Sequence, residues 1–367
     1  MPTTLITGGC GFIGRHVARE LLAAGDDVVL YDALIDQVHG GSGAESPEGA
    51  RVIRGDVRDA DALDSALPGV DRIVHLAAEV GVGQSMYEIA RYVGVNDLGT
   101  AVLLEAAARH EIGRIVLASS MSVYGEGLYV AKDGTPVPDA RRRPEDAALG
   151  RWEPHRDGVA LQPVPTDETK PVDLASIYAL TKFTQERAVL IFGETYGVDA
   201  VALRLFNVFG AGQALSNPYT GVLANFAARI ANGQRPTIFE DGEQRRDFVH
   251  VEDVARAFRL ALQSGDAAGR VFNVGSGEAY GISEVARRLA AAMNRPDITP
   301  EILGKVRKGD IRNCFADISR ARAQLGFVPR HRLEDSLVPF AAWVASAGAE
   351  DRGAQMRAEL EARGLMA

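Results

Sequence analysis

Residues 3–14, TTLITGGCGFIG, decide the fold. The apolar run 3–7 is typical of a buried parallel strand, and apolar residues recur at helical spacing from Phe12 to Ala24. Glycines between such a strand and such a helix allow a tight turn and a close approach of the backbone to a pyrophosphate, which the amides of the helix N-terminus can bind. We therefore predict a dinucleotide site, although a glycine-rich turn without a ligand gives the same pattern. The residues predicted to form this site are Gly8, Gly11, Phe12, Ile13 and Gly14.

The rest of the first half alternates between apolar runs and helical patterns. Predicted strands lie at 28–31, 51–55, 72–78, 114–120 and 200–206, and predicted helices lie at 59–67, 96–110 and about 176–196. Strands that alternate with helices indicate an α/β fold. We predict a Rossmann doubly wound parallel sheet with helices on both faces.

The alternation is broken in two places. Residues 125–171 are rich in proline, glycine and charge, which indicates a long insertion near a functional site. After about Phe206 the strands become short, which predicts a smaller mixed α/β domain that binds substrate. We divide the chain into two domains. Residues 1–206 are predicted to form a dinucleotide-binding Rossmann domain that includes the insertion. Residues 207–367 are predicted to form mainly a substrate-binding domain, which is discontinuous because segments such as 247–275 return to the Rossmann domain. The charged stretch from about 349 to 367 is expected to form a surface helix or a frayed tail.

The composition excludes several classes of function. The chain has 367 residues and a formal net charge of −9, so no nucleic-acid partner is expected, and an anionic ligand needs local arginines and backbone amides. Its two cysteines are too few for a disulfide framework, and we predict no metal site. The N-terminus has no signal-peptide pattern and no window is apolar enough to span a membrane, so the cytoplasm is the expected location.

Two aspartates indicate which dinucleotide is bound. Asp32 ends the second predicted strand, 18 residues after Gly14. A carboxylate there accepts hydrogen bonds from the adenosine ribose and repels a 2′-phosphate, which favours NAD over NADP; a capping aspartate is the alternative. Asp56, in RGDVRD, is similarly placed for the adenine edge, although a turn-forming aspartate fits equally.

Tyr178 and Lys182 lie one helical turn apart in SIYALTK, so their side chains project from the same face of a helix. A solvated helix face gives the same spacing by chance. A nearby ammonium group, together with the positive nicotinamide ring, would lower the pKa of the tyrosine from its usual value near 10 and allow it to act as a general base. Ser120, at the end of the fifth predicted strand, is a hydrogen-bonding partner for that hydroxyl or a helix cap.

Together these motifs resemble the extended short-chain dehydrogenase/reductase family, in particular its NAD-dependent nucleotide-sugar epimerases and dehydratases. The resemblance covers nearly the whole chain and includes segments that are not general Rossmann features: HLAAEV, SSMSVYGEG, YALTK, LRLFNVFG, RRDFVHVEDV, FNVGSG and GDIRNCFADISRARAQLGFVP. It implies that the N-terminal sheet holds NAD and that the C-terminal lobe holds a nucleotide-diphosphate sugar. It also implies a homodimer, in which the helices at about 96–110 and 176–196 pack into a four-helix bundle.

The resemblance assigns roles to individual residues of this sequence. Ser120 matches the catalytic Ser/Thr, Tyr178 the base, and Lys182 the lysine that also contacts the nicotinamide ribose; the first two would contact substrate. Further cofactor contacts are implied at Val57, Leu76, Ala77, Ala78 and Asn96. The positions that hold the diphosphate of the substrate are matched by Asn207, Arg246 and Arg312. Arginine forks suit a diphosphate in an acidic protein, and a surface ion pair is the alternative for either arginine.

The residues after Ser120 help to choose the reaction. Relatives that eliminate water carry an Asp-Glu pair there, whereas this chain has Met121 and Ser122, which cannot transfer those protons. This favours epimerisation at C4 through a 4-keto sugar. Residues 160–230 resemble those of bacterial dTDP-L-rhamnose 4-epimerases, which make dTDP-6-deoxy-L-talose. The alternatives are a UDP-sugar 4-epimerase, decarboxylase or dehydratase of the same family, or a non-catalytic NAD-binding regulator.

Overall fold

The computed structural model describes residues 1–39, 45–215, 221–306, 309–347, 359 and 361–365. Its centre is a sheet of seven parallel strands in the order β7-β6-β5-β4-β1-β2-β3. The strands are β1 (Thr3–Thr7), β2 (Asp27–Asp32), β3 (Arg51–Arg54), β4 (Arg72–His75), β5 (Arg114–Ser120), β6 (Asp199–Leu205) and β7 (Arg270–Val274). The predicted doubly wound sheet is confirmed. Its order reverses between β1 and β4, and ligands of such sheets bind outside the carboxyl ends of the strands at that point.

Helices cover the sheet and build the second lobe. They are α1 (Phe12–Ala23), α2 (Asp36–His39), α3 (Ala60–Ala66), α4 (Val82–Ser85), α5 (Ile89–Tyr92), α6 (Gly99–Ala107), α7 (Pro144–Ala148), α8 (Ile177–Tyr196), α9 (Val222–Ala231), α10 (Val251–Gln263), α11 (Ile282–Ala292), α12 (Ser319–Leu325) and α13 (Leu333–Ala347). No helix among the described residues is both long enough and apolar enough to cross a bilayer.

The sheet is buried on both faces, because successive side chains of a strand point to opposite sides. In β1, Ile6 joins the core formed with α1, α10 and α12, whereas the adjacent Leu5 joins the core formed with α3, α6 and α8. Both side chains are fully buried. This explains why the strands are continuous apolar runs rather than alternating ones.

The second lobe has its own apolar core between α9, α11 and α13. Short strands surround it: Asn207–Phe209, Thr237–Ile238, Arg245–Arg246, Phe248–His250, Tyr280–Gly281, Glu301–Ile302 and Asn313–Cys314. The chain returns from this lobe to the main sheet, since α10 packs on α1 and β7 pairs with β6. The insertion contributes five further strands: Leu128–Val130, Pro136–Val137, His155–Arg156, Val159–Ala160 and Gln162–Val164.

The structure differs from the predicted elements in two places. Where a helix was predicted at 96–110, the structure has a π-helical turn, Val93–Leu98, which continues into α6. Such turns are often found at functional sites, and Asn96 lies within this one. The predicted strand 72–78 ends at His75, after which Leu76–Ala78 leave the sheet. Most of the predicted C-terminal helix or tail, 349–367, lies outside the described residues.

A buried ion pair fixes α8 to the sheet. Arg204 of β6 donates two hydrogen bonds to Glu186 of α8, at 2.6 and 3.0 Å, and Ser119 of β5 donates a third at 2.7 Å. The Arg204 guanidinium also lies over the ring of Tyr124, 4.7 Å from its centroid. Breaking a buried pair of this kind costs about 3–5 kcal/mol, so the position of α8 is strongly determined.

A buried histidine links α8 to the centre of the sheet. The ring nitrogens of His75 lie 2.6 Å from Thr7 Oγ1 and 2.9 Å from Thr100 Oγ1, and Gln185 of α8 lies 3.4 Å away. Burial lowers the pKa of His75 to about 3, with a smaller contribution from Lys182. The ring is therefore neutral in the folded chain over most of the pH range.

We expect this histidine to steepen acid destabilisation. Between pH 6.5 and about 3 the unfolded chain binds a proton at position 75 that the folded chain does not. The stabilisation is thus complete above pH 6.5 and falls by about 1.4 kcal/mol per pH unit below it. In His75→Gln, the free energy of unfolding measured by urea denaturation should fall less steeply between pH 6.5 and 4.5 than in the unmodified chain.

The control is His110→Gln, because His110 is partly exposed and contacts Asp64 at 3.1 Å. This variant should keep a slope close to that of the unmodified chain. Equal slopes for His75→Gln and the unmodified chain would contradict the role of His75.

Candidate active site

The turn between β1 and α1 requires glycine at two positions. Gly8 has φ +66°, and a Cβ atom there would lie 2.9 Å from the backbone nitrogen of Ala77. A Cβ atom on Gly14 would lie 2.5 Å from the Gly8 carbonyl oxygen. Any side chain would therefore displace the backbone. The close approach brings the turn against Leu76 and Ala77, two of the predicted cofactor contacts.

The N-terminus of α1 offers backbone donors. Gly11 occupies the N-cap position and has no side chain to accept from the first-turn amides, which include those of Phe12 and Ile13. These amides and the positive end of the helix dipole favour an anion such as a pyrophosphate. The predicted glycine turn thus has a backbone suited to the pyrophosphate of NAD.

Asp32 lies directly beside this turn. Its carboxylate accepts hydrogen bonds from the amides of Cys10 at 3.0 Å and Leu34 at 2.9 Å, and it lies 3.4 Å from His39 Nε2. A carboxylate has about four acceptor positions, so it can also bind a ribose hydroxyl. Its negative charge disfavours the 2′-phosphate of NADP.

The carboxylate of Asp56, unlike that of Asp32, is bound by a neighbouring arginine. Arg58 donates to its carboxylate from both side chain and backbone, at distances of 2.6–2.9 Å, and these bonds hold the pKa of Asp56 below its usual value. The adjacent Val57 is buried against Gly99. The adenine contact predicted for Asp56 and Val57 remains a prediction.

Asn96 connects the cofactor side of the site to α8. Its Oδ1 accepts from the amide of Glu79 at 2.7 Å, and its Nδ2 donates to Thr181 Oγ1 at 2.9 Å. Leu76–Ala78 therefore lie between the glycine turn and the helix that carries Tyr178. The sequence did not single out Thr181, although its position between Tyr178 and Lys182 was a usable signal.

The three predicted catalytic side chains come together at the carboxyl end of β5. The side chain of Ser120 lies near the Tyr178 hydroxyl. Lys182 is buried, and its Nζ donates to the Ala118 carbonyl oxygen at 3.0 Å. The amide of Ser122 donates to Ser120 Oγ at 3.2 Å, which leaves the hydroxyl hydrogen of Ser120 free to point elsewhere.

A second serine holds the start of α8 in place. Ser85 Oγ accepts from the Tyr178 amide at 3.1 Å and donates to the Val82 carbonyl at 2.7 Å. Ser176 caps the same helix by accepting from the Ala179 amide. Sequence reasoning missed Ser85, because nothing in the local pattern shows that it approaches a helix 93 residues away.

Burial disfavours the charged form of both titratable groups. It raises the pKa of Tyr178 above 10, while the hydrogen bond from Ser120 acts in the opposite direction. It also lowers the pKa of Lys182 to about 7. A phenolate at position 178 therefore needs a nearby positive charge, which a protonated Lys182 or a bound cationic ring can supply.

The predicted diphosphate residues have different surroundings. Asn207 donates to the Asp247 carbonyl at 2.9 Å. Arg246 donates to the backbone carbonyls of Arg245 and Arg312, at 2.9 and 2.8 Å, and to that of Ile311. Because these acceptors are neutral, Arg246 keeps its full positive charge and suits an anionic ligand.

Arg312 does not fit its predicted role. Its side chain is 3% exposed, and it donates to Glu153 at 2.9 Å, Glu240 at 2.9 Å and Asp241 at 2.5 and 3.0 Å. These carboxylates occupy the donors that a diphosphate would need. We therefore remove Arg312 from the substrate set, since its charge is neutralised within the protein.

The same cluster anchors the insertion. Glu126 accepts from the amides of Arg312 and Asn313, at 2.9 and 3.2 Å, and from Tyr129 at 3.0 Å. Arg142 donates to Glu126, to Glu240 and to the Asp310 carbonyl. Residues of the insertion thus bind the chain on both sides of Arg312. The sequence predicted an insertion near a site but not these contacts.

Comparison with known proteins shows which family the chain resembles. Residues 4–149 and 153–275 match the model of the NAD dependent epimerase/dehydratase family. The chain is 36% identical to the dTDP-L-rhamnose 4-epimerase of Burkholderia thailandensis over 349 residues, which cover 93% of this chain and 94% of that protein.

Solved structures agree with the fold. The UDP-glucose 4-epimerase of Thermotoga maritima with UDP-glucose aligns with TM-score 0.77 and 28% identity over 94% of this chain and 99% of that one. The UDP-glucose 4-epimerase of Thermus thermophilus in complex with NAD gives 0.74 and 29%, over 94% and 100%. The chain therefore belongs to the NAD-dependent epimerase/dehydratase family.

Proposed function

We propose that this chain is an NAD-dependent 4-epimerase of a nucleotide-activated hexose. The observation that carries the proposal is the proximity of Ser120 and Tyr178, with Lys182 one turn along α8, at the carboxyl end of β5. A regulator that only binds NAD needs the turn but not this set of side chains. The set supplies a base, its partner and a cation in one place.

In the proposed reaction Tyr178 removes the proton of the C4 hydroxyl. Ser120 donates its free hydrogen to the same sugar oxygen, and protonated Lys182 favours the phenolate. NAD, which the glycine turn and Asp32 would hold, would supply the hydride chemistry at C4, with return of the hydride to the opposite face of the 4-keto sugar. Tyr178 then gives the proton back, so the reaction has no net redox change.

Elimination of water is disfavoured on this chain. Met121 and Ser122 follow Ser120 in a short 3₁₀ turn, where an acid and a base would be needed for dehydration. Neither side chain transfers protons near neutral pH. Epimerisation requires only the Tyr178 base and the bound nicotinamide.

For the substrate we propose dTDP-L-rhamnose and its 4-epimer, dTDP-6-deoxy-L-talose. Support comes from the 36% identity to the Burkholderia thailandensis dTDP-L-rhamnose 4-epimerase over nearly the full length of both chains. We assign the diphosphate to Arg246 and Asn207. A UDP-sugar substrate is the second candidate, because the aligned Thermotoga maritima structure contains UDP-glucose. The predicted cytoplasmic location remains a prediction.

The experiment is to incubate the purified chain with dTDP-L-rhamnose and with UDP- and GDP-hexoses, and to analyse products by chromatography and NMR. We expect an equilibrium mixture of dTDP-L-rhamnose and dTDP-6-deoxy-L-talose, with NAD bound to the protein. Conversion of a UDP-sugar alone would change the substrate assignment. Loss of water or CO2, or no conversion of any sugar, would overturn the epimerase assignment.

Tyr178→Phe removes the base and keeps the ring. We expect kcat to fall by about 10²- to 10⁴-fold, the usual contribution of a positioned general base, with NAD content unchanged. The measurement is the initial rate of epimerisation together with the absorbance of extracted cofactor.

The control lies on the same helix. Tyr196 is 60% exposed and stacks on Phe192, so Tyr196→Phe should keep full activity. Activity of Tyr178→Phe equal to that of Tyr196→Phe would exclude Tyr178 as the base.

Arg246 and Arg312 should respond differently to substitution. Arg246→Gln removes a charged donor to the diphosphate, and we expect KM to rise by about 10- to 100-fold, with a smaller change in kcat. Arg312→Gln leaves buried carboxylates without a partner, and we expect the free energy of unfolding to fall by about 3 kcal/mol. Steady-state kinetics and urea denaturation separate the two effects.

The matched control is Arg245→Gln, because Arg245 is an exposed neighbour of Arg246 in the same strand. It should change neither KM nor stability appreciably. A larger KM effect for Arg312→Gln than for Arg246→Gln, without loss of stability, would restore Arg312 to the substrate site.

We further propose that two copies of the chain form a homodimer through residues 89–107 and α8. Apolar side chains exposed there include Leu98, Leu180 and Ile191, which are 53%, 44% and 52% exposed. Positions 180 and 191 share one face of α8, three turns apart. Exposed apolar residues at helical spacing suit a four-helix bundle between two copies.

The double variant Leu98→Asp, Leu180→Asp should sediment as a monomer at micromolar concentration, whereas the unmodified chain should sediment as a dimer. Burying two carboxylates per copy in an apolar contact opposes association. Val338→Asp serves as control, since Val338 is 63% exposed on α13, outside the proposed interface. A monomeric unmodified chain would contradict the proposal.

A further inference from the structure

Three metal-binding side chains lie together at the beginning of α10, and the proposed reaction uses none of them. They are His250, which precedes the helix, Glu252 in its first turn, and His331 in the segment that leads into α13. Each offers one ligand atom, and these atoms all lie within 4.8 Å of one another. Their sequence separation explains why the sequence indicated no metal site.

The orientation of His331 is fixed by a buried carboxylate. Its Nδ1 lies 3.1 Å from Asp253 Oδ2, and Asp253 is 1% exposed and accepts from the backbone amides of Arg330 and His331. Nδ1 therefore carries the hydrogen and donates it to Asp253. A carboxylate that orients an imidazole in this way is the usual second layer of a metal site.

The other nitrogen of His331 faces a second carboxylate. With Nδ1 donating, a neutral ring has a lone pair on Nε2, which lies 3.2 Å from Glu252 Oε2. Two groups that only accept repel one another at that distance, and a metal cation bound to both removes the repulsion.

His250 supplies the third ligand. Its ring centroid lies 4.5 Å from that of His331, and Phe209 packs edge-on against it at 5.4 Å. Its Nδ1 accepts from the Glu252 amide at 3.4 Å, a long and weak bond.

We propose that His250, Glu252 and His331 form a site for a divalent transition-metal ion such as Zn²⁺, with water completing the coordination. Two imidazoles and a carboxylate are a donor set that suits Zn²⁺. In a tetrahedral site with ligands at about 2.0–2.1 Å, ligand atoms are about 3.3 Å apart. The most distant ligand atoms must therefore approach one another by up to about 1.5 Å when an ion binds.

The site joins two parts of the molecule. His250 and Glu252 belong to the beginning of α10, which packs on the main sheet, and His331 precedes α13 of the second lobe. A bound ion therefore links the two cores directly. It should stabilise the folded chain by a free energy that rises with the logarithm of the ion concentration relative to Kd.

The test uses the full chain without an affinity tag, treated with a chelator, and measures ZnCl2 binding by calorimetry and by thermal unfolding. We expect one equivalent to bind, and Tm to rise by about 3 °C at a hundredfold excess over Kd. His331→Gln should weaken binding by more than about 100-fold, because a lost direct ligand costs more than a lost second-layer partner. Glu252→Gln should weaken it by at least about tenfold.

His110→Gln is the matched control, because His110 also pairs with a carboxylate, Asp64, but has no second histidine near it among the described residues. It should bind Zn²⁺ as the unmodified chain does. Absence of binding to the unmodified chain would overturn the proposal. The proposal would also be overturned if His331→Gln or Glu252→Gln bound Zn²⁺ as tightly as the unmodified chain.

Discussion

The structure depends on the contact between the glycine turn and the backbone that follows β4. Gly8 lies so close to Ala77, and Gly14 to the Gly8 carbonyl, that no Cβ atom fits at either position. This contact places the N-terminus of α1 at the point where the strand order reverses. Amide donors and the carboxylate of Asp32 then meet at one edge of the sheet, which is the geometry that a dinucleotide requires.

The catalytic side chains depend on how α8 is held against that edge. Glu186 joins the helix to β5 and β6, and Thr181 joins it to Asn96. The buried His75 connects the helix to β1 through Thr7. Buried polar groups cost free energy unless each has a hydrogen-bonding partner. Because these groups are partners of one another, they hold α8 in one position. This position places Tyr178 near Ser120.

Features set by neighbours along the chain could be predicted from the sequence. The glycine turn, the strands and the spacing of Tyr178 and Lys182 all follow from local patterns, and each is present in the structure. Arg312 could not be assigned this way, because its partners Glu153 and Glu240 are 159 and 72 residues distant. A sequence shows that a residue is charged but not which opposite charge folds onto it. The bond between Asn96 in the π-helical turn and the amide of Glu79 was not predictable for the same reason, since the two residues are 17 apart in the sequence.

The insertion explains why Arg312 is paired with carboxylates of the protein, whereas Arg246 can bind a ligand. Around Arg312 and Arg142, the carboxylates of Glu126, Glu153, Glu240 and Asp241 outnumber the positive charges, so a diphosphate is repelled from this cluster. Arg246 lies beside it, and its bonds within the described residues go to carbonyls, including those of Ile311 and Arg312. Glu126 holds the backbone amide of Arg312. The insertion thus fixes the segment that orients Arg246.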